Sequence, residues 1–412
     1  RELMSNRMLK SAALAAATAW LLAGTAYADQ TVIKFWDNQQ TESGLSVFQQ
    51  EAVKRFEAEN PDIKVEVTTI PYPEYQQRLL TAVQAGNGPD VSTVDQIWNS
   101  AFAVAGAIQP LDDLAKQAGI KAETFFPGAW ESANYNGQLW GIPFNVDVWF
   151  FAFVNKKLFQ DAGVDPASIV TWQGLEAAAP KLTDKSKGQF AIGLTGNKSE
   201  YPVGMSDSFI YSNGGSVLDD SGKCVLTSKE AQEGLAFYKK MADYAPAGIL
   251  NAPNEPMREL FLNGTLAIEL WPALEQPTLD KSKIDWDLYA AFAPEGKKPV
   301  GMFGGWNLVL YKASKNQEAA WKFIQFMTRE DVNGDVVDLI PANVNAAKAF
   351  LQKSRRKPDM ILDHLNNAKP RPLSPRYLEV SEVQQNMMQK ILSGTPIADA
   401  TAEACTAIDA LK

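Results

Sequence analysis

The sequence predicts an α/β protein folded as two lobes, on three observations. Strand-like and helix-like stretches alternate from Thr31 to Asp95, the pattern of a parallel sheet covered by helices. The alternation restarts beyond Asn155. Between the two runs, Asn145 and Asp147 join two apolar segments with no loop, as a chain would where it crosses a cleft from one lobe to the other. The 412 residues, 46% hydrophobic and 21% charged, supply core enough for about two domains.

Thr31 to Trp36 alternates like a strand. Ser46 to Asn60 places Val47, Phe48, Ala52, Val53 and Phe56 on one helical stripe, which Asn60-Pro61 ends. Ile63 to Val67 alternates again, Tyr75 to Gln84 is helical, Gly86 to Pro89 is a loop, and Asp90 to Asp95 is a third strand. Ligands of such sheets sit beyond the carboxyl ends of the strands, which marks Asp37 to Gln40 and Asp95 to Trp98. Asn136-Gly137 predicts a two-residue hairpin turn, because both central positions need φ > 0. Leu139 to Phe144 is then an apolar strand. Pro143 has no ladder donor, so it predicts an edge or an end there. Asn145 and Asp147, two apart, share a face, and Val148 to Val154 is the next apolar run. Gln189 to Leu194 is strand-like. Ser228 caps a helix reaching Tyr244. Met257 to Leu262 is helical, and Thr265 to Leu270 is a strand delivering Trp271-Pro272. Trp286 to Phe292 and Asn307 to Tyr311 are strands, with Met302 to Trp306 between them. Gln317 to Met327 is helical, and a last helical region runs from Leu378 to Leu411.

The net charge of −9 argues against a nucleic-acid surface. One His and two Cys leave few side chains for metal binding or nucleophilic chemistry. His364 alone builds no zinc site, and the sequence holds no G-x-S-x-G, H-E-x-x-H or P-loop, so neither metal nor cofactor is expected. The first 28 residues differ from the rest. A basic start at Met4 to Lys10, an apolar Ser11 to Gly24 and Ala26-Tyr27-Ala28 predict a cleavable secretory signal, with the mature chain beginning near Asp29. No lipid-accepting Cys follows the cleavage site. After export, Cys224 and Cys405 are either paired or two unpaired small residues.

Several fragments recur in a telling order. They are Phe35-Trp36 after the opening strand, Phe56 to Val65 (FEAENPDIKV), Gly88-Pro89-Asp90-Val91, Tyr135-Asn136-Gly137 to Ile142-Pro143, Asn155 to Phe159, Gly214-Gly215, Phe261 to Ala267 and Gly304-Gly305-Trp306. In that order, behind an export signal, the chain resembles the extracellular solute-binding proteins of carbohydrate ABC importers, the maltose- and glycerol-phosphate-binding group. The resemblance covers essentially the whole mature chain. It implies a two-lobe, type II-like periplasmic-binding-protein fold with a hinge and an interlobe cleft. The N-terminal lobe would hold residues 29–146 with 288–340, and the C-terminal lobe 147–287 with 341–412. It further implies a periplasmic monomer that closes on a carbohydrate, catalyses nothing, and delivers its cargo to the transmembrane subunits of an ABC permease.

A sugar presents hydroxyl forks and apolar C–H faces, so its site wants planar amides, carboxylates and aromatic faces. Gln39 and Gln40 follow the first strand, where the resemblance puts ligand contacts; the bland alternative is a polar loop. Trp36 either stacks on sugar or caps the core. Asp95 and Trp98 follow the third strand, where Asp95 is also a candidate helix cap. Asp147, with Asn145 beside it, falls where the resemblance places a ligand-binding acid, and the alternative is a structural acid at the crossover. Trp271 and Trp306 lie at strand ends, and Gly304-Gly305 allow a close backbone approach. Arg371, in Lys369-Pro370-Arg371-Pro372, either meets the ligand or makes an interlobe salt bridge. Amides, one acid and Trp faces favour a neutral mono- or oligosaccharide, and Arg371 keeps an anionic sugar or polyol open. A secreted carbohydrate-active enzyme is the competing class. Its paired carboxylates would come from Asp95, Asp147 and Glu269, and their separation is not legible in sequence.

Overall fold

The computed structural model describes residues 30–38, 46–248, 250–251, 255–337 and 339–411. The export signal, Gln39 and Gln40 therefore lie outside the described residues. The strands, in chain order, are β1 (Thr31–Asp37), β2 (Ile63–Thr69), β3 (Val91–Asp95), β4 (Asn134–Tyr135), β5 (Gln138–Leu139), β6 (Ile142–Trp149), β7 (Phe151–Asn155), β8 (Phe190–Ile192), β9 (Leu266–Trp271), β10 (Trp286–Ala290), β11 (Met302–Leu310), β12 (Ile340–Pro341) and β13 (Lys369–Pro370). Most fall into two sheets. The larger runs β12-β6-β11-β3-β1-β2, with β13 also on β11, and the smaller runs β10-β7-β9-β8.

The first three strands are parallel, as their helical connections require. β11 and β6 return antiparallel, which makes the larger sheet mixed. Helix Ser46–Glu59 lays Phe56 against Phe323 of helix Gln317–Met327, and Phe35 of β1 meets the same ring, both at 5.1 Å between centroids. Each such buried ring contributes roughly 1.5–3 kcal/mol through burial alone. The Asn136-Gly137 turn closes the short β4–β5 hairpin with φ of 50° and 73°.

In the smaller-sheet lobe, helices Glu200–Ser212, Lys229–Ala242, Tyr377–Leu392 and Ile397–Asp409 pack on one another. Ser228 caps the second of these by accepting from Ala231 N at 3.3 Å. Cys224 and Cys405 are joined in a disulfide with Cα atoms 5.1 Å apart, which ties the last helix to this lobe.

Four expectations shift. Pro143 is on neither an edge nor an end: β6 lies between β11 and β12. The ladder between β6 and β11 slips there, with Trp306 opposite Asn145 and Asn307 opposite Pro143, and proline is tolerated at such an irregularity. The chain changes sheet at Phe150 rather than at 146/147, because β6 stays in the larger sheet to Trp149 and β7 opens the smaller one at Phe151. The return crossing is also later than 288, since β10 pairs with β7 as far as Ala290 and the larger sheet resumes at Met302. Helix Val344–Ser354 packs on β12 and β13 pairs with β11, so the final passage to the smaller-sheet lobe falls between β13 and Tyr377, not at 341.

Among the described residues, no helix is long and apolar enough to cross a membrane. No group of three or more His, Cys, Asp or Glu among them is placed to hold a metal ion.

Candidate functional site

The carboxyl end of β3 turns directly into a short 3-10 turn, Gln96–Trp98, and Asp95 caps that turn by accepting from Ile97 N at 3.3 Å. The cap was one of the two roles open to Asp95, but the same carboxylate does more. Its Oδ1 accepts from Arg371 Nη2 at 2.6 Å, and its Oδ2 accepts from the Tyr72 hydroxyl at 3.4 Å. Arg371, 5% exposed, also sets Nη1 3.6 Å from Glu200 Oε2. Glu200 opens helix Glu200–Ser212, and it accepts from the Tyr377 hydroxyl at 2.8 Å and from Ser381. Asp95–Arg371–Glu200 is thus an ion chain from the larger sheet to a helix of the smaller-sheet lobe. This is the interlobe salt bridge that was the alternative role for Arg371. Burial pushes the Asp95 carboxyl up, against the pull of Arg371.

Aromatic groups flank this chain on both sides. On the larger-sheet side Tyr72 stacks on Trp98 at 5.8 Å, and Trp306 meets Trp98 edge-on at 5.6 Å. Tyr75 is buried behind them, its hydroxyl donating to Trp36 O at 2.9 Å, and Trp36 packs half-buried on the group. On the other side Trp149 stacks on Tyr201 at 5.7 Å, and Tyr201 leans on Trp271 at 6.0 Å. The Arg371 guanidinium lies over Trp149 at 5.6 Å, which connects the two groups. Tyr72, Trp36, Trp306, Trp149 and Tyr201 keep solvent-facing surface, whereas Trp98 and Trp271 are buried and support them.

The structure therefore brings Trp36, Asp95, Trp98, Trp271, Trp306 and Arg371 together. It places others differently. Gly304 and Gly305 approach protein: a Cβ at Gly304 would sit 2.6 Å from Trp149 Nε1, and one at Gly305, whose φ is 140°, would strike the carbonyl of Asn145. The pair seats Trp149 and lets β11 close on β6. Asn145 is opposite Trp306 in that ladder, 2% exposed, with no partner for Oδ1 among the described residues. Asp147 is 1% exposed, and both its oxygens are occupied. Oδ1 accepts from Val148 N at 2.7 Å and Ala273 N at 3.3 Å, and Oδ2 accepts from Leu274 N at 3.3 Å. Those amides open the 3-10 turn after β9, so Asp147 ties the crossing strand to the other lobe. Burial raises its pKa to about 7 in spite of these bonds.

Sequence reasoning does not single out Tyr72, Trp149, Glu200 and Tyr377 as site residues. Trp149 ends β6, but in the sequence it lies inside the apolar run Val148 to Val154, which hides that end. Tyr201 is the second residue of a helix.

A family model described as bacterial extracellular solute-binding protein matches residues 38–334. A binding protein of Brucella abortus (strain 2308) is 26% identical over 364 residues, covering 85% of this chain and 86% of that protein. The sn-glycerol-3-phosphate-binding periplasmic protein of Escherichia coli (strain K12) is 34% identical over 160 residues, 37% of this chain and 35% of that one. Among solved structures, an ABC transporter solute-binding protein of Thermotoga lettingae TMO bound with alpha-D-tagatose is 27% identical, with a TM-score of 0.76 over 93% of this chain and 100% of that one. Maltose-bound MalE3 of T. maritima is 26% identical, with a TM-score of 0.74 over the same shares. With the family model spanning well over half its length, this chain belongs to the bacterial extracellular solute-binding proteins.

Proposed function

We propose that the chain captures a carbohydrate between the two aromatic groups, closes its lobes on it, and hands it to the membrane permease of an ABC importer from the periplasm. The observation that carries this reading is the pairing of half-exposed rings from both lobes around one buried ion chain. Sugar C–H faces stack on such rings, and the tagatose- and maltose-bound relatives support the ligand class. In this reading Tyr72, Trp36 and Trp306 contact the ligand from one lobe, and Trp149 and Tyr201 from the other. Trp98 and Trp271 back them, and Asn145 offers its free carbonyl oxygen. Arg371 and Asp95 order the site from behind.

Solution scattering on the purified protein, with and without a panel of sugars and polyols, tests the reading. The radius of gyration falls on saturation with the cognate sugar, and the sugar is recovered intact. A radius unchanged at saturation refutes the closing clamp, and a chemically altered sugar refutes the binding role.

A further inference from the structure

Resting on the carbohydrate reading above, we infer that Asp95 and Glu200 make this site exclude anions, so that the cargo carries no phosphate, sulfonate or carboxylate group and Glu200 sets that selectivity. The partial likeness to sn-glycerol-3-phosphate-binding proteins points the other way, as does the presence of an arginine at the site. The geometry decides against both.

An anionic ligand needs uncommitted donors and a positive field. Arg371 offers little of either: its Nε has no partner among the described residues, but it is buried with the rest of the guanidinium. Nη2 is on Asp95 at 2.6 Å and Nη1 faces Glu200 at 3.6 Å. Its guanidinium also lies near the rings of Trp149 and Tyr377, each at 5.6 Å. Only 4% of its side-chain surface meets solvent. The void beside it, lined by Gln96, Ser100, Ser132 and Leu373 among others, has about 10 Å³. That holds one water and cannot hold a phosphate. A phosphate bound at Nη2 would displace Asp95 and leave a buried carboxylate unpaired.

Two carboxylates against one guanidinium leave the ion chain with a net negative charge. Glu200 carries that excess outward. Its side chain is 27% exposed, and Tyr377 and Ser381 hold it so that it cannot swing away. The other guanidinium touching the aromatic groups is Arg258, 5.4 Å from the Trp271 ring. It is committed to Glu275 at 2.8 Å, with the buried Glu269 acting on it as well. Among the described residues, every cation in contact with these rings is therefore matched or outnumbered by acids. An uncharged polyhydroxyl compound meets donors and acceptors here, whereas an anion meets a like charge.

The test is calorimetric titration of the purified protein and of Glu200→Gln. The anionic probes are inorganic phosphate and sn-glycerol 3-phosphate, and the uncharged panel is tagatose, maltose and ribitol with further sugars and polyols. The wild type takes up neither anion. Glu200→Gln, its fold checked by melting, gains at least tenfold in affinity for sn-glycerol 3-phosphate, and the gain weakens with added salt. Its affinity for any uncharged compound that binds the wild type changes far less. Wild-type binding of either anion at a dissociation constant below about 1 mM overturns the inference, and a Glu200→Gln protein with no gain overturns the role of Glu200. The two readings fail separately. A wild type that binds no panel member and no anion keeps the exclusion and ends the carbohydrate reading, whereas one that binds a sugar phosphate and not its parent sugar does the reverse.

Discussion

Replacing Asp147 by Asn tests the tie between the crossing strand and the far lobe. The amide keeps the shape of the carboxylate and one acceptor oxygen. Its NH2 then faces one of the three backbone N–H groups that Asp147 now satisfies, most directly that of Leu274. A buried donor left unpaired costs roughly 1–3 kcal/mol. The wild-type carboxyl adds a dependence on pH that the amide lacks. Burial raises its pKa from 3.8 to about 7. The stability a raised acid lends is whole below its unfolded pKa and is lost as pH rises through the folded one. At about 1.4 kcal/mol per unit, the wild type loses about 4 kcal/mol from this group across that window. Urea unfolding of the ligand-free proteins should therefore find the variant weaker at pH 4 by roughly 1–3 kcal/mol. The gap should close and reverse by pH 8. A gap that ignores pH refutes the burial argument. A variant with wild-type stability at every pH but reduced sugar affinity refutes the tying role and returns Asp147 to the ligand.

Four further outcomes follow from the same geometry. Arg371→Met leaves Asp95 buried and unpaired and should lower unfolding free energy by roughly 3–5 kcal/mol in urea melts. Glu269 is 1% exposed with no hydrogen-bond partner for either oxygen among the described residues, and burial raises its pKa, so Glu269→Gln should stabilise the protein increasingly as pH rises, read as the urea midpoint. Reducing the Cys224–Cys405 disulfide should cost roughly 2–5 kcal/mol, measured by melts with and without reductant. Tyr201→Ala should weaken binding of the cognate sugar roughly tenfold by calorimetry, with the ligand-free melt little changed.

What the sequence showed and what it hid divide along one physical line. The Asn136-Gly137 turn, the Ser228 cap and the parallel β1–β3 unit depend on residues close in sequence, and each was readable. The strand-end rule found Trp271 and Asp95, because where a strand stops is also local, whereas Trp306, expected at a strand end, lies in the middle of β11. Pro143 misled because its tolerance depends on an irregularity in the ladder with β11, a strand much later in the chain. Asp147 misled for the same reason. Its place beside Asn145 suggested a ligand, while the amides that hold it belong to Ala273 and Leu274. Glu200 and Tyr377 show nothing locally. They acquire a role only when the last helices return to lie beside the first residue of helix Glu200–Ser212.

His364 is the one histidine in the sequence. It is buried with its ring 5.0 Å from that of Phe151, against the backbone of Phe150 and of Pro299, and burial holds its pKa down at about 4. Phe150 is where the chain first changes sheet, and Pro299 belongs to the stretch that brings it back. The molecule thus contains a single imidazole at the meeting of its two crossings. In an NMR spectrum of histidine-labelled protein that ring gives one set of signals, with no assignment problem. Because the ring stays neutral at ordinary pH, a change in those signals on adding sugar reports movement of the hinge rather than titration.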